Sequence, residues 1–206
     1  MTEKEAQNIL LNELNYNQDA LYKIDIFCKE VIEYNQKFNL ISKSTIENIW
    51  DRHVLDSAQL VKFIEFNDGL SLSDLGTGAG FPGIIIAIFN KNPKFHVKLY
   101  EKSRVKTKFL VRLCEKLNIK AEVYDNDYRN HIINSNYVVS RAFKKLEEHI
   151  RISREIIKVN HKLIILKGKS AEEEIKQLNN NFNYSYTLEK SITSPDSKIV
   201  IIDTKK

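Results

Sequence analysis

Four of the six glycines in the chain fall in one short stretch, Ser73-Asp74-Leu75-Gly76-Thr77-Gly78-Ala79-Gly80-Phe81-Pro82-Gly83. Glycine loses more backbone freedom on folding than any other residue, so such a cluster has a local cause. A tight turn alone needs one or two. Glycines between a strand and a helix let backbone N–H groups approach a ligand closely. The chemistry implied is binding of a small, nucleotide-like molecule. Two registers compete for the same residues. Gly78-x-Gly80-x-x-Gly83 spells a dinucleotide motif, but it starts late relative to the strand and holds Pro82 between its glycines. Asp74-x-Gly76-x-Gly78-x-Gly80 sets an acid two residues before the first glycine and is the better register.

Few other residues carry obvious chemistry. Cys28 and Cys114 fall in helical patterns far apart in sequence, with neither metal nor redox spacing. His53, His96, His131, His149 and His161 include no pair at metal-ligand spacing, so no metal site is expected. Gly168-Lys169-Ser170 spells the end of a phosphate loop, but Leu163 stands where the earlier glycine would be. Lys102, Arg104, Lys106, Lys108 and Arg112 form a solvated helix face by default. With Lys43, Arg52, Lys167 and Lys169 they could also rim a nucleic-acid site, where phosphates dominate affinity.

The elements that must position these residues alternate. Leu70, Leu72 and Leu75 mark a strand before the glycines, and Pro82 to Phe89 a buried helix after them. Strands follow at His96–Glu101, Lys120–Asp125, Asn136–Arg141 and Lys162–Leu166, separated by helices over Ser103–Leu117, Leu146–Val159 and Ala171–Leu178. In the first of these helices Val105, Phe109, Leu113 and Leu117 share a face. Two last strands, Tyr184–Leu188 and Lys198–Asp203, read as an antiparallel hairpin. Alternating strands and helices imply an α/β fold with parallel pairing and right-handed crossovers. Ahead of the glycine strand lie three helices: one opened by a Thr2/Glu5 capping box, one over Gln18–Phe38, and one from Ser44 or Thr45 to about Val61. The expected division is an N-terminal helical cap over residues 1–67 and a ligand-binding domain over 68–206, packed as one compact unit.

At 206 residues, with 42% hydrophobic and 29% charged content, the chain can bury a real core. No apolar run approaches the roughly 20 residues that span a bilayer, and the charged start shows no signal-peptide pattern. A reduced, cytoplasmic setting without membrane association is expected. A formal net charge of +5 permits a polyanionic partner without requiring one.

Asp74-x-Gly76-x-Gly78-x-Gly80 resembles the cofactor loop of class I S-adenosylmethionine-dependent methyltransferases, and the terminal hairpin is typical of their seven-stranded, Rossmann-like sheet. Asn39-Leu40, Arg52-His53-Val54-Leu55-Asp56-Ser57, the glycine stretch, Ser140-Arg141-Ala142-Phe143 and Leu166-Lys167-Gly168 occur in order. Together they resemble the small-subunit ribosomal RNA methyltransferase G family, also called glucose-inhibited division protein B, over nearly the whole chain. Ala79 stands where many members have proline, and Glu101 where many have aspartate. The resemblance implies methyl transfer from S-adenosylmethionine to N7 of a guanine in 16S rRNA near the decoding centre. The partner would be that RNA or the small ribosomal subunit, met by a monomer.

The same resemblance assigns roles. Gly76 and Gly78 would let the loop meet the cofactor, with Phe81 packing beside it. Glu101, at a strand end, would accept from the ribose hydroxyls; its plain alternative is an exposed carboxylate. Asp127 and Tyr128 would lie next to the adenine, and Arg141 would border the cofactor pocket, or else cap a helix or form a surface ion pair. Arg52, His53 and Lys167 are candidates for the RNA side, Arg52 and Lys167 lying at element ends that could face the mouth of the cleft. Arg52 could instead tie the cap to the sheet, and His53 could be a satisfied histidine under the cap. Guanine N7 carries a lone pair and no proton, so no catalytic base is nominated. A cytosine C5 enzyme would want a reactive cysteine, and an adenine N6 enzyme a Pro-Pro-aromatic motif where Ser140-Arg141-Ala142-Phe143 stands. A methyltransferase for a small molecule or protein, and a nicotinamide-dependent oxidoreductase, stay open as alternatives.

Overall fold

A computed structural model describes residues 1–141, 144–178 and 185–205. Tyr184, expected to open the penultimate strand, and Ala142-Phe143 of the fourth-strand motif lie outside the described residues.

Capping and apolar spacing account for the N-terminal helices. In α1 (Glu3–Asn12) the Thr2 hydroxyl accepts from the Glu5 amide, and the Glu5 carboxylate accepts from the Thr2 amide. α2 (Gln18–Asn35) starts at Asn17, whose side chain accepts from the Ala20 amide, and buries Leu21, Ile24, Phe27, Cys28 and Val31. It ends before Phe38 because the Asn35 carboxamide turns back to accept from the amides of Leu40 and Ile41, at 2.7 and 3.0 Å. The expected third helix is broken. It consists of a 3-10 turn (Lys43–Thr45), a π-helical turn (Trp50–Leu55), the single turn α3 (Asp56–Ala58) and a 3-10 segment (Gln59–Phe63). The wider π turn brings Trp50, His53, Val54 and Leu55 inward together, and such turns recur at functional sites.

The described strands run over Ser71–Leu75 (β1), His96–Tyr100 (β2), Glu122–Tyr124 (β3), Tyr137–Arg141 (β4), His161–Lys167 (β5), Ser185–Lys190 (β6) and Lys198–Thr204 (β7). They form a seven-stranded sheet in the order β3-β2-β1-β4-β5-β7-β6. The first five are parallel, and β7 lies antiparallel between β5 and β6, as the hairpin reading requires. β1 is buried along its whole length, because β2 and β4 flank it and helices cover both faces. Its inward serines are satisfied: Ser73 pairs with the Ser135 hydroxyl at 2.7 Å.

The helices α4 (Gly83–Phe89), α5 (Arg104–Leu117), α6 (Leu146–Ile156) and α7 (Ala171–Gln177) fill the crossovers. α4 buries Ile84 to Ile88 on all sides, being caught between sheet and cap. α5 buries Phe109, Leu113 and Leu117, but Val105, expected on that face, is 38% exposed; the buried stripe begins at Thr107 and continues through Leu110 and Cys114. Arg112 is not merely solvated either: with Lys116 it ion-pairs with Glu30, joining α5 to α2. One apolar core runs from α1 and α2 through β1, β2 and α4 into α5, and a second lies under α6 and α7. Among the described residues no helix is long and apolar enough to cross a membrane.

Candidate active site

β1 has β2 on one side and β4 on the other, so sheet growth reverses there, and ligands of open α/β sheets bind outside the strand ends at such a point. The glycine loop sits at this spot. Asp74, at 1% exposure, braces it from below by accepting from the Gly83 amide at 2.8 Å. Burial pushes the Asp74 carboxyl up to about 6, with the Thr77 hydroxyl and the Gly83 amide pulling the other way. The glycines divide the work. A Cβ on Gly83 would lie 2.3 Å from a Leu99 methyl, and one on Gly80 2.6 Å from Ile84, so both serve close packing. Gly76 and Gly78 hold left-handed backbone at φ +72° and +61°. A Cβ on Gly78 would meet only the Gly76 carbonyl, at 3.9 Å, and would otherwise enter open space.

A cleft of about 370 Å³ opens beside this loop, bordered by Gly76, Glu101, Asp127 and Tyr128. Glu101 is 8% exposed, not the open strand-end carboxylate of the alternative reading. Its Oε2 accepts from the Gly78 amide at 3.0 Å and its Oε1 from the Ser103 amide at 2.8 Å. A carboxylate has about four lone-pair sites, so two hydroxyl donors can still be taken. Asp127 accepts from the Arg129 amide and side chain, which holds its carboxyl down at about 2. Lys102, Lys106 and Lys144 add a cationic border to the same cleft.

Phe81, Arg141, His53, Arg52 and Lys167 lie outside that lining. Phe81 is 3% exposed and packs on Phe27 at 4.7 Å and His53 at 5.0 Å, so it anchors the loop in the cap. The Arg141 guanidinium sits 5.5 Å over the Phe81 ring, donates to the Arg52 carbonyl and meets His53 Nδ1 at 2.7 Å. An arginine can only donate, so Nδ1 is the unprotonated ring nitrogen. Nε2 then carries the hydrogen and donates to the Thr45 hydroxyl at 2.8 Å. Burial, then the nearby Arg141 and Arg52, pushes His53 down to about 3. Both His53 ring nitrogens thus have partners within the fold. Burial also lowers Arg141, while Asp56 and Asp74 act to raise it.

Lys167 does not face the mouth of the cleft. It is 7% exposed, pairs with Glu174 at 2.7 Å and donates to the Lys144 carbonyl at 3.0 Å. The end of β5 is covered by α7, which turns the ammonium inward. Arg52 is exposed and makes no ion pair among the described residues.

Sequence reasoning missed the bracing role of Asp74, although its spacing from Gly76 was visible. It missed Lys144 and Glu174 altogether, since neither belongs to a local pattern.

The family model for rRNA small subunit methyltransferase G matches residues 20–201. Ribosomal RNA small subunit methyltransferase G of Pelagibacter ubique is 35% identical over 198 residues, 94% of this chain and 92% of the relative. The protein of that name from Mycoplasma capricolum is 36% identical, over 84% of this chain and 76% of the relative. Among solved structures, a SAM dependent methyltransferase from Aquifex aeolicus aligns with a TM-score of 0.58 at 15% identity, over 80% of this chain and 94% of that one. At that identity the likeness is one of fold alone.

Proposed function

The chain belongs to the rRNA small subunit methyltransferase G family, and from that premise we propose that it moves a methyl group from S-adenosylmethionine to N7 of a guanine in 16S rRNA near the decoding centre. The observation that carries the site assignment is the left-handed backbone at Gly76 and Gly78, the Gly78 amide held by Glu101, beside an open cleft.

Bound S-adenosylmethionine supplies an electrophilic methyl on a positively charged sulfonium. The chain's own residues hold and orient it. Gly76 and Gly78 leave room for it, Glu101 offers lone pairs to the ribose hydroxyls, and Asp127 and Tyr128 border the part of the cleft assigned to the adenine. Guanine N7 needs no deprotonation, so alignment of acceptor and methyl supplies the rate, and orientation can contribute several kcal/mol to it. Arg52, Lys102 and Lys106 are the cations assigned to RNA phosphates. The protein acts as a monomer, in the cytoplasm, on naked 16S rRNA or on the small subunit.

The test is incubation with small subunits, and separately with naked 16S rRNA, using cofactor labelled on the methyl. Label mapped to N7 of a 16S guanine supports the reading. Label absent from both RNAs, under conditions where the cofactor binds, overturns it.

A further inference from the structure

β4 pairs with β1, the strand that leads into the glycine loop, and Lys144 and Lys145 precede α6. A connection on a domain edge ordinarily gives its backbone groups to water. At Lys144, Lys145 and Leu146 backbone groups meet side chains that are buried or partly buried. The Lys144 carbonyl accepts from Lys167 Nζ at 3.0 Å. The Lys145 carbonyl lies 3.1 Å from His149 Nδ1, whose Nε2 meets the Ser140 hydroxyl at 3.0 Å. The Leu146 amide donates to Glu174 Oε2 at 2.6 Å.

Glu174 is the centre of this arrangement. The oxygen that takes the Leu146 amide also takes Lys167 at 2.7 Å, and its other oxygen accepts from Ser170 at 2.6 Å. The Lys167 and Glu174 side chains are only 6% and 16% exposed. Desolvation offsets most of what a buried ion pair gains, so its presence is weak evidence for stability. Geometry is what this pair does supply. It fixes Lys144, whose side chain borders the cleft, and Leu146, which opens α6. Arg141, at the other end of the connection, is fixed separately by His53.

We propose that Glu174 is a positioning residue for methyl transfer: with Lys167 it sets the backbone at Lys144–Leu146, where Lys144 borders the cleft. This rests on the methyl-transfer reading above. Lys167 accordingly acts through the fold and not by touching RNA.

Glu174→Gln, which keeps the shape and removes the charge, is compared with wild type, together with Lys167→Met and Lys167→Arg. Turnover on 16S rRNA should fall on the order of 10- to 100-fold in Glu174→Gln, the scale on which small misplacements act. The salt slope of RNA binding should stay at its wild-type value. Amide exchange at Leu146 should accelerate, and Lys167→Arg should recover part of the turnover lost in Lys167→Met. Tighter RNA binding with a steeper salt slope in Glu174→Gln would overturn the proposal, because a released Lys167 would then be meeting phosphate. A lowered melting temperature with wild-type turnover would also overturn it. If wild type itself labels no RNA, the functional reading fails, and Leu146 exchange still decides whether the clamp exists.

Discussion

His53 Nδ1 and Arg141 Nη1 lie 2.7 Å apart, and they join the π turn of the cap to the last residue of β4. The bond exists only while His53 is neutral. A protonated imidazole has no acceptor and would place a second positive charge against the guanidinium.

That relationship has a pH signature. With His53 held down at about 3 in the folded chain, the unfolded chain binds an extra proton between there and its ordinary value near 6.5. Stability from this group is therefore full above 6.5 and is lost as pH falls towards 3. His149, pushed down to about 4 by burial, acts with the same sign. Asp74, raised to about 6, acts in the opposite sense. Thermal melts from pH 7 to 4.5 should show a shallower pH dependence for His53→Gln than for wild type. Superimposable slopes would remove His53 from the account.

Glu101→Ala should weaken S-adenosylmethionine binding by about 1–3 kcal/mol, the scale of hydrogen bonds to a charged group. The substitution also strips the Gly78 and Ser103 amides of their acceptor. Some loss of melting temperature is therefore expected alongside it. Calorimetry giving equal affinity for the two proteins would refute the ribose assignment.

Gly78→Val and Gly83→Ala should fail differently. At Gly78 the added carbons have space but enter the path of the cofactor, at a backbone angle that costs stability. A folded protein without cofactor affinity is expected. At Gly83 one methyl collides with Leu99 and Asp74, so the fold should lose about 1–3 kcal/mol or more. Melting curves and cofactor titrations separate the two, and normal cofactor affinity in folded Gly78→Val would defeat the loop assignment.

Arg52→Ala, and Lys102→Ala with Lys106→Ala, should leave the melting temperature near wild type and weaken RNA binding. Each phosphate contact removed should flatten the salt dependence by roughly one unit of slope, or somewhat less on a single strand. Filter binding across a salt series reads this directly. An unaltered slope with a large fall in melting temperature would make Arg52 a tie between cap and sheet instead.

Much of the site was legible because it depends on neighbours in sequence. The order of strands and helices, the hairpin at the end, and the loop from Asp74 to Gly83 all rest on local period and on backbone angles that glycine alone adopts easily. Glu101 was readable for the same reason, as an acid at a strand end. Tertiary structure decided which charges stay exposed and which are buried in pairs. Arg52, Arg141 and Lys167 carry the same formal charge and stand in equally recognisable motifs. Among the described residues Arg52 makes no ion pair, Arg141 is bound by His53 over Phe81, and Lys167 is closed off by Glu174. His53 lies 88 residues from Arg141, so no local pattern announces that pairing. The side chain facing each cation follows from how the cap and α7 pack on the sheet. A one-dimensional pattern carries no record of such distances, and burial and pairing alone determine whether a cation is available to RNA.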